Sequence, residues 1–270
     1  MKTHLSPAWR LILSIMIVGC VVVGSAPAQI VHGDYTNSTV SFLNVTESGP
    51  DVPPAFLVPP NPTLSEGLTP TLNFTPTNSI QTDPALPFDL KTKTSQLQMD
   101  IQAAPGLWFG ADGGSILQLT NSGSYTLSAP SGPSPQSQAF ASFTASYTLA
   151  LNEVDNLPFS SGAPYAGSIP LVPASASVSG PGGLASGTWS GSVQLDLNTI
   201  KAHFGLAPDS KISGMLLQYT ANLSAASVLG QTTTSVDNLS VTPTVVPEPS
   251  TYALLLMTGA GAMWWARRKR

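Results

Sequence analysis

The sequence predicts an all-β fold: a β-sandwich or jelly-roll ectodomain flanked by an N-terminal signal peptide and a single short C-terminal transmembrane helix. Three observations predict it. Apolar residues alternate with hydroxylated ones at period two over several stretches, the pattern of sheets packed on one face and wet on the other. Clusters of Gly, Ser, Pro and Asn separate those stretches, as between the short strands of a sandwich. An uncharged apolar run with flanking cations sits at each end of the chain.

The signal peptide spans residues 1–28. Lys2 and Arg10 supply its positive n-region, and Leu11 to Gly24 its apolar core. That core is 14 residues long, short of the roughly 20 that span a bilayer. Ala26 and Ala28 place small residues at both subsites of a signal peptidase, so the cut is expected after Ala28. Cys20 ends "IVGC", which resembles a lipoprotein box, but the apolar run continues past it. With the cut at Ala28 the exported protein has no cysteine, hence no disulfide and no thiol chemistry.

The ectodomain spans residues 29–244. In Ala141 to Leu151, Phe143, Ala145, Tyr147, Leu149 and Leu151 share one face at period two. In Thr188 to Asn198, Trp189, Val193, Leu195 and Leu197 do the same, opposite Thr188, Ser190, Ser192, Gln194 and Asp196. Met215, Leu217, Tyr219, Ala221 and Leu223 form a third such face, and Ser235 to Thr242 reads as a final strand. One helical turn is expected in "NTIKAHFGL": Asn198 or Thr199 caps it, Ile200, His203 and Phe204 share a face, and Gly205 ends it. Residues 47–70 and 129–138 are rich in Pro and read as stiff loops.

Composition limits the partners. Charged residues make up 9% of the chain, against roughly 25% in ordinary domains. Between residues 29 and 250 there are four cations, all Lys, and fourteen acids, a net of −10. Phosphate backbones need a basic stripe, so nucleic acid is excluded as a partner.

The tail spans residues 245–270. Val246-Pro247-Glu248-Pro249-Ser250 holds one carboxylate between two prolines, each of which fixes φ and keeps its predecessor extended. The sixteen uncharged residues 251–266 make a helix of about 24 Å, enough for a thinned bilayer. Trp264 and Trp265 sit at belt depth, and the basic tail Arg267, Arg268, Lys269 and Arg270 keeps the C-terminus cytoplasmic. The body then lies outside.

This three-part tail resembles the PEP-CTERM sorting signal of bacterial exosortase substrates. The resemblance implies recognition by a membrane-embedded exosortase, transient anchoring in the inner membrane, cleavage near the motif, and delivery to the cell surface or extracellular matrix. More loosely, "YTANLSAASVLGQTTTSVDNLSVTPTVVPEPS" is similar to the end of planctomycete-type β-rich ectodomains of such proteins.

Side chains for chemistry are few. The exported chain has only His32 and His203, and no G-x-S-x-G elbow occurs; "GTWSG" has the wrong spacing. His203 shares its face with Ile200 and Phe204 and is read as a packed histidine. Glu153, Asp155 and Asn156 form the most acidic-polar cluster and are the weak candidate for Ca²⁺. They offer about three of the six to eight oxygens calcium takes, so a strand end with turn residues is the favoured reading and no metal or other cofactor is expected. Trp108, Trp189, Tyr147, Tyr165 and Tyr219 are the aromatics that can stack on sugars. Trp189 belongs to an apolar face, while "GLWFG" at 106–110 is the better exposed platform. The expectation is a non-enzymatic structural or binding protein. The alternative is a carbohydrate-binding jelly-roll module acting on exopolysaccharide, with a secreted hydrolase third.

Overall fold

The structure, a computed structural model, describes residues 28–49, 62–76, 79–110, 114–130, 137–160 and 162–247. The described residues are all-β with one short helix, the sheets curled into a half-barrel.

The strands follow in order as β1 (Ala28–Thr36), β2 (Val40–Gly49), β3 (Thr63–Leu64), β4 (Leu72–Phe74), β5 (Ser79–Gln81), β6 (Asp89–Ala103), β7 (Leu107–Phe109) and β8 (Ser115–Ser128). Then come β9 (Gln138–Val154), β10 (Leu157–Pro158), β11 (Tyr165–Ile169), β12 (Ser175–Ser179) and β13 (Leu184–Asp196). The helix α1 (Leu197–His203) precedes β14 (Ile212–Val228), β15 (Gln231–Pro243) and β16 (Val245–Pro247).

Two antiparallel sheets enclose one core. In the first, β1, β2, β6, β14 and β9 lie side by side; β10, β11 and β12 continue from β9, and β7 and β16 close one end. In the second, the order is β13, β8, β15, β4 and β3, with β5 also on β15. The alternations expected for β9, β13 and β14 are the ones that fill the space between the sheets. Phe143, Ala145, Tyr147, Leu149 and Leu151 are buried, as are Trp189, Leu195, Met215, Leu217, Tyr219, Ala221 and Leu223. Each fully buried large apolar side chain contributes about 1.5–3 kcal/mol by leaving water.

Several local expectations are corrected. Asp196 caps α1, its Oδ1 accepting from the Thr199 N–H at 2.8 Å and the Thr199 hydroxyl at 3.0 Å. Asn198 and Thr199 instead lie inside the helix. The reason is that β13 runs to Asp196 and the helix starts immediately after it. Gly205 ends the turn with φ +66°, as expected. The expected loop of 47–70 begins later, because β2 continues to Gly49 and buries Glu47, and β3 falls within it. Residues up to Pro247 belong to the sheets: β15 runs to Pro243, and β16 pairs Val245 with Phe109, Val246 with Trp108 and Pro247 with Leu107.

Among the described residues no helix is long and apolar enough to cross a membrane. Residues 1–27 and 248–270 lie outside the described residues, and with them the signal-peptide core, Ala26, Glu248, Pro249, Ser250, the span 251–266 and the basic tail Arg267, Arg268, Lys269 and Arg270. Ala28 opens β1.

Candidate functional site

The outer face of the first sheet is built by the period-two pattern of four long strands. Residues that do not enter the core line up in rows across it. Thr94, Asn222 and Thr144 form one row, Gln96, Thr220 and Ser146 the next, and Gln98, Gln218 and Thr148 a third. Cross-strand bonds tie the first and third rows: Thr94 Oγ1 donates to Asn222 Oδ1 at 2.7 Å, and Thr148 Oγ1 donates to Gln218 Oε1 at 3.3 Å. These rows carry no formal charge. A further row holds Asp100, which accepts from Asn44 Nδ2 at 3.0 Å and from Asn152 Nδ2 at 3.4 Å.

Past Asp100 the face deepens into a groove of about 580 Å³. Ser41 and Gln102 are register partners there, Gln102 faces Gly214, and Gly214 faces Glu153. Thr36, Asn156 and the turn Ala104–Pro105–Gly106 complete the walls. Glu153 is the groove's one formal charge. Asn37 also lines it, but its side-chain oxygen accepts from the Thr39 and Val40 N–H groups and its amide donates to the Ser65 carbonyl.

The acidic cluster expected from sequence is split by a hairpin. Asp155 and Asn156 both have positive φ, 54° and 58°. They join Val154 to its partner Leu157 in a two-residue turn of the type that hairpins favour. Asp155 is spent on the chain: its Oδ1 accepts from the Lys211 N–H at 2.8 Å, and its own N–H donates to the Lys211 carbonyl at 2.7 Å. Glu153 and Asn156 reach the groove; Asp155 does not line it. Among the described residues no group of three His, Cys, Asp or Glu is gathered. The segment is a hairpin turn at a strand end.

Beside the groove, Lys211 Nζ lies 4.7 Å from the centroid of the half-buried Trp108 ring. Trp108 opposes Val246 of the sorting-like motif, so the tail leaves the domain at this end. Of the other aromatics expected as stacking platforms, Trp189, Tyr147 and Tyr219 are core, and Tyr165 is half-buried. Burial raises the pKa of the Tyr219 phenol far above its ordinary value. Tyr147 is raised by burial first and by Tyr165 second. Neither titrates near neutral pH.

The two histidines among the described residues sit in different surroundings. His203 is exposed rather than packed under Ile200, its Nε2 3.1 Å from the Ala163 carbonyl and its ring edge-on to Tyr165 and Phe204. His32 is buried, with Nε2 3.5 Å from Glu47 Oε2. Glu47 Oε1 accepts from the Ser95 hydroxyl. Ser95 and Glu47 are buried, as is the His32 side chain. Next to Ser95, Asn121 donates to the Tyr219 hydroxyl around an enclosed cavity of about 10 Å³, room for about one water.

No motif announces Thr36, Ser41 or Gln102. The one sequence signal near them is the Pro105-Gly106 turn, which joins β6 to β7.

No known protein family matches the chain, and no curated protein does either. Solved structures give distant likenesses only. A loop-swap mutant of Necallimastix patriciarum Xyn11A is 15% identical, over 81% of this chain and 97% of that one, with a TM-score of 0.16. The N-terminal CBM22-1-CBM22-2 tandem domain of Paenibacillus barcinonensis Xyn10C is 11% identical over 59% and 47%, with a TM-score of 0.19. The infectious bursal disease virus Gx strain structure is 9% identical over 87% and 63%, at 0.20. Likenesses this weak carry no argument about this chain.

Proposed function

We propose that the chain is an exported protein of the cell surface or extracellular matrix, sorted and processed by an exosortase and acting by structure or binding rather than catalysis. The observation that carries this reading is the order of parts in the tail: Val246-Pro247-Glu248-Pro249-Ser250, the uncharged run 251–266, and Arg267, Arg268, Lys269 and Arg270, in a chain that also opens with a signal-like segment. It is supported by where the last described strand stops. β16 ends at Pro247, so Glu248 follows directly on the folded body. Before processing the protein is anchored in the inner membrane with its body outside; afterwards it is released to the surface or matrix. The test is expression of the full chain in a host that carries an exosortase, with mass spectrometry of the C-terminus in each cell fraction. Glu248→Ala, or removal of Arg267–Arg270, is expected to leave the full-length form in the inner membrane. Normal trimming and release of both variants would refute the reading.

A second reading, compatible with the first, is a carbohydrate-binding module of jelly-roll, β-sandwich type. It is supported by the uncharged rows of amides and hydroxyls on the first sheet and by the groove at their end. Retention on exopolysaccharide from the producing cells tests it. A hydrolase has less support. Paired carboxylates about 5–10 Å apart are needed to cut a glycosidic bond, and among the described residues Glu153 is the only acid lining the groove.

A further inference from the structure

The groove combines depth with uncommitted polar side chains. In the rows of Asn222 and Gln218 amides and hydroxyls bond one another across the strands, and Asp100 binds Asn44 and Asn152. In the groove the side chains of Thr36, Ser41, Gln102, Glu153 and Asn156 have no hydrogen-bond partner among the described residues. Asn152 Oδ1, against Gly214 in the same row, is buried without a partner. Gly214 keeps this row open. A Cβ there would meet Asn152 Oδ1 at 2.3 Å and Glu153 Cβ at 2.8 Å, closer than side chains tolerate. The volume of about 580 Å³ lies within the roughly 300–1,000 Å³ of small-ligand pockets.

We infer that this groove is a subsite for one or two sugar units of an uncharged polysaccharide. The inference rests on the glycan-binding reading above and gives it a location. Two amides and two hydroxyls each offer both donor and acceptor sites, which suits sugar hydroxyls that are themselves both. The Glu153 carboxylate is acceptor-only and takes two adjacent hydroxyls. An anionic sugar is disfavoured, because among the described residues no cation lines the groove and Lys211 lies on the Trp108 ring. A divalent cation is disfavoured too, because only one carboxylate of the described residues lines it. From Gln102 the chain of sugars has a path along β14 past the rows of Gln98 and Gln96. It ends at Leu90 and Phe140, whose side chains flank Ala226 and are 54% and 40% exposed.

The test uses the exported protein purified from its host. The probes are the hexasaccharides of β-1,4-glucan, β-1,4-xylan and β-1,4-mannan, with dextran and the anionic polymer alginate, followed by calorimetry and by amide shifts in NMR. At least one neutral probe is expected to bind, with shifts at Gln102, Glu153 and Asn156. Glu153→Gln and Gln102→Ala are each expected to weaken binding about two- to tenfold, while Gln194→Ala on the opposite sheet changes nothing. Binding of a neutral probe that ignores the groove variants but is lost in Gln98→Ala with Gln218→Ala would overturn the groove assignment and keep the glycan reading. No binding to any neutral probe, or preference for alginate, would overturn both.

Discussion

Phe143 and Trp189 stack across the two sheets, ring centroids 5.0 Å apart and planes within 16° of parallel. Tyr125 joins them, 5.9 Å from Phe143. The pair links β9 of one sheet to β13 of the other at a point where both side chains are almost wholly buried. Trp189→Ala is expected to destabilise the domain by about 3–5 kcal/mol. A double-mutant cycle with Phe143→Leu should return about 0.5–1.5 kcal/mol of coupling. Chemical denaturation measures both, and a coupling of zero would mean that the rings merely fill space.

Gly123 makes that stack possible. A Cβ on it would sit 2.0 Å from the Ser235 carbonyl oxygen and 2.4 Å from the Trp189 ring. Because a backbone oxygen cannot step aside as a side chain can, Gly123→Ala is expected to cost at least about 1–3 kcal/mol. A thermal shift upward in that variant would show the close approach to be wrong.

Glu47 is fully buried, with the Ser95 hydroxyl on one oxygen and His32 near the other. Replacing it by Leu takes the acceptor from the buried Ser95 hydroxyl and the carboxylate from beside the His32 ring. The expected loss is about 3 kcal/mol, concentrated at β1, the edge strand that carries His32. Faster hydrogen exchange of the β1 amides than of β14 in Glu47→Leu is the accompanying sign. Equal exchange in the two strands would contradict this account.

The Asp196 carboxylate is held below its ordinary pKa, first by the Thr199 N–H and then by the Thr199 hydroxyl. A depressed carboxylate contributes stability above its unfolded pKa, near about 4. That contribution is lost as pH falls through the lower folded value. Asp196→Asn keeps a capping oxygen but cannot titrate, so its stability should fall less than the wild type's between neutral pH and about pH 2. Parallel acid-titration curves would show that the cap does not carry this dependence.

The sequence disclosed the strands in which one residue in two is large and apolar. Phe143 to Leu151 and Met215 to Leu223 are such runs, and their registers set the core. It was silent where the inward residues are polar or small. β2 hides Glu47 on its core face and β6 hides Ser95, so their alternation is interrupted. The cap on α1 was misassigned because Asn198 and Thr199 are good caps locally, while the end of β13 decides which residue stands at the boundary. Of the candidate site, Glu153 and Asn156 were visible as a polar cluster. Their separation from Asp155 was not, since it depends on two consecutive left-handed residues and on Lys211, which is remote in sequence. Thr36, Ser41 and Gln102 come from other strands, and only long-range pairing unites them.

The three-residue strand β16 gives the domain a defined load path. A pull on the chain beyond Pro247 enters the fold through the pairs with Leu107, Trp108 and Phe109. Pro247 has no N–H to contribute, so this is a weak seam beside the thirteen-residue β15. Behind it, Thr244 donates to the Ile116 carbonyl and accepts from the Gly110 N–H. Under tension β16 should let go first and lengthen the tether by a few residues, while that second grip and the sheets behind it stay closed. For any load applied through the residues after Pro247, the last strand thus acts as a mechanical fuse.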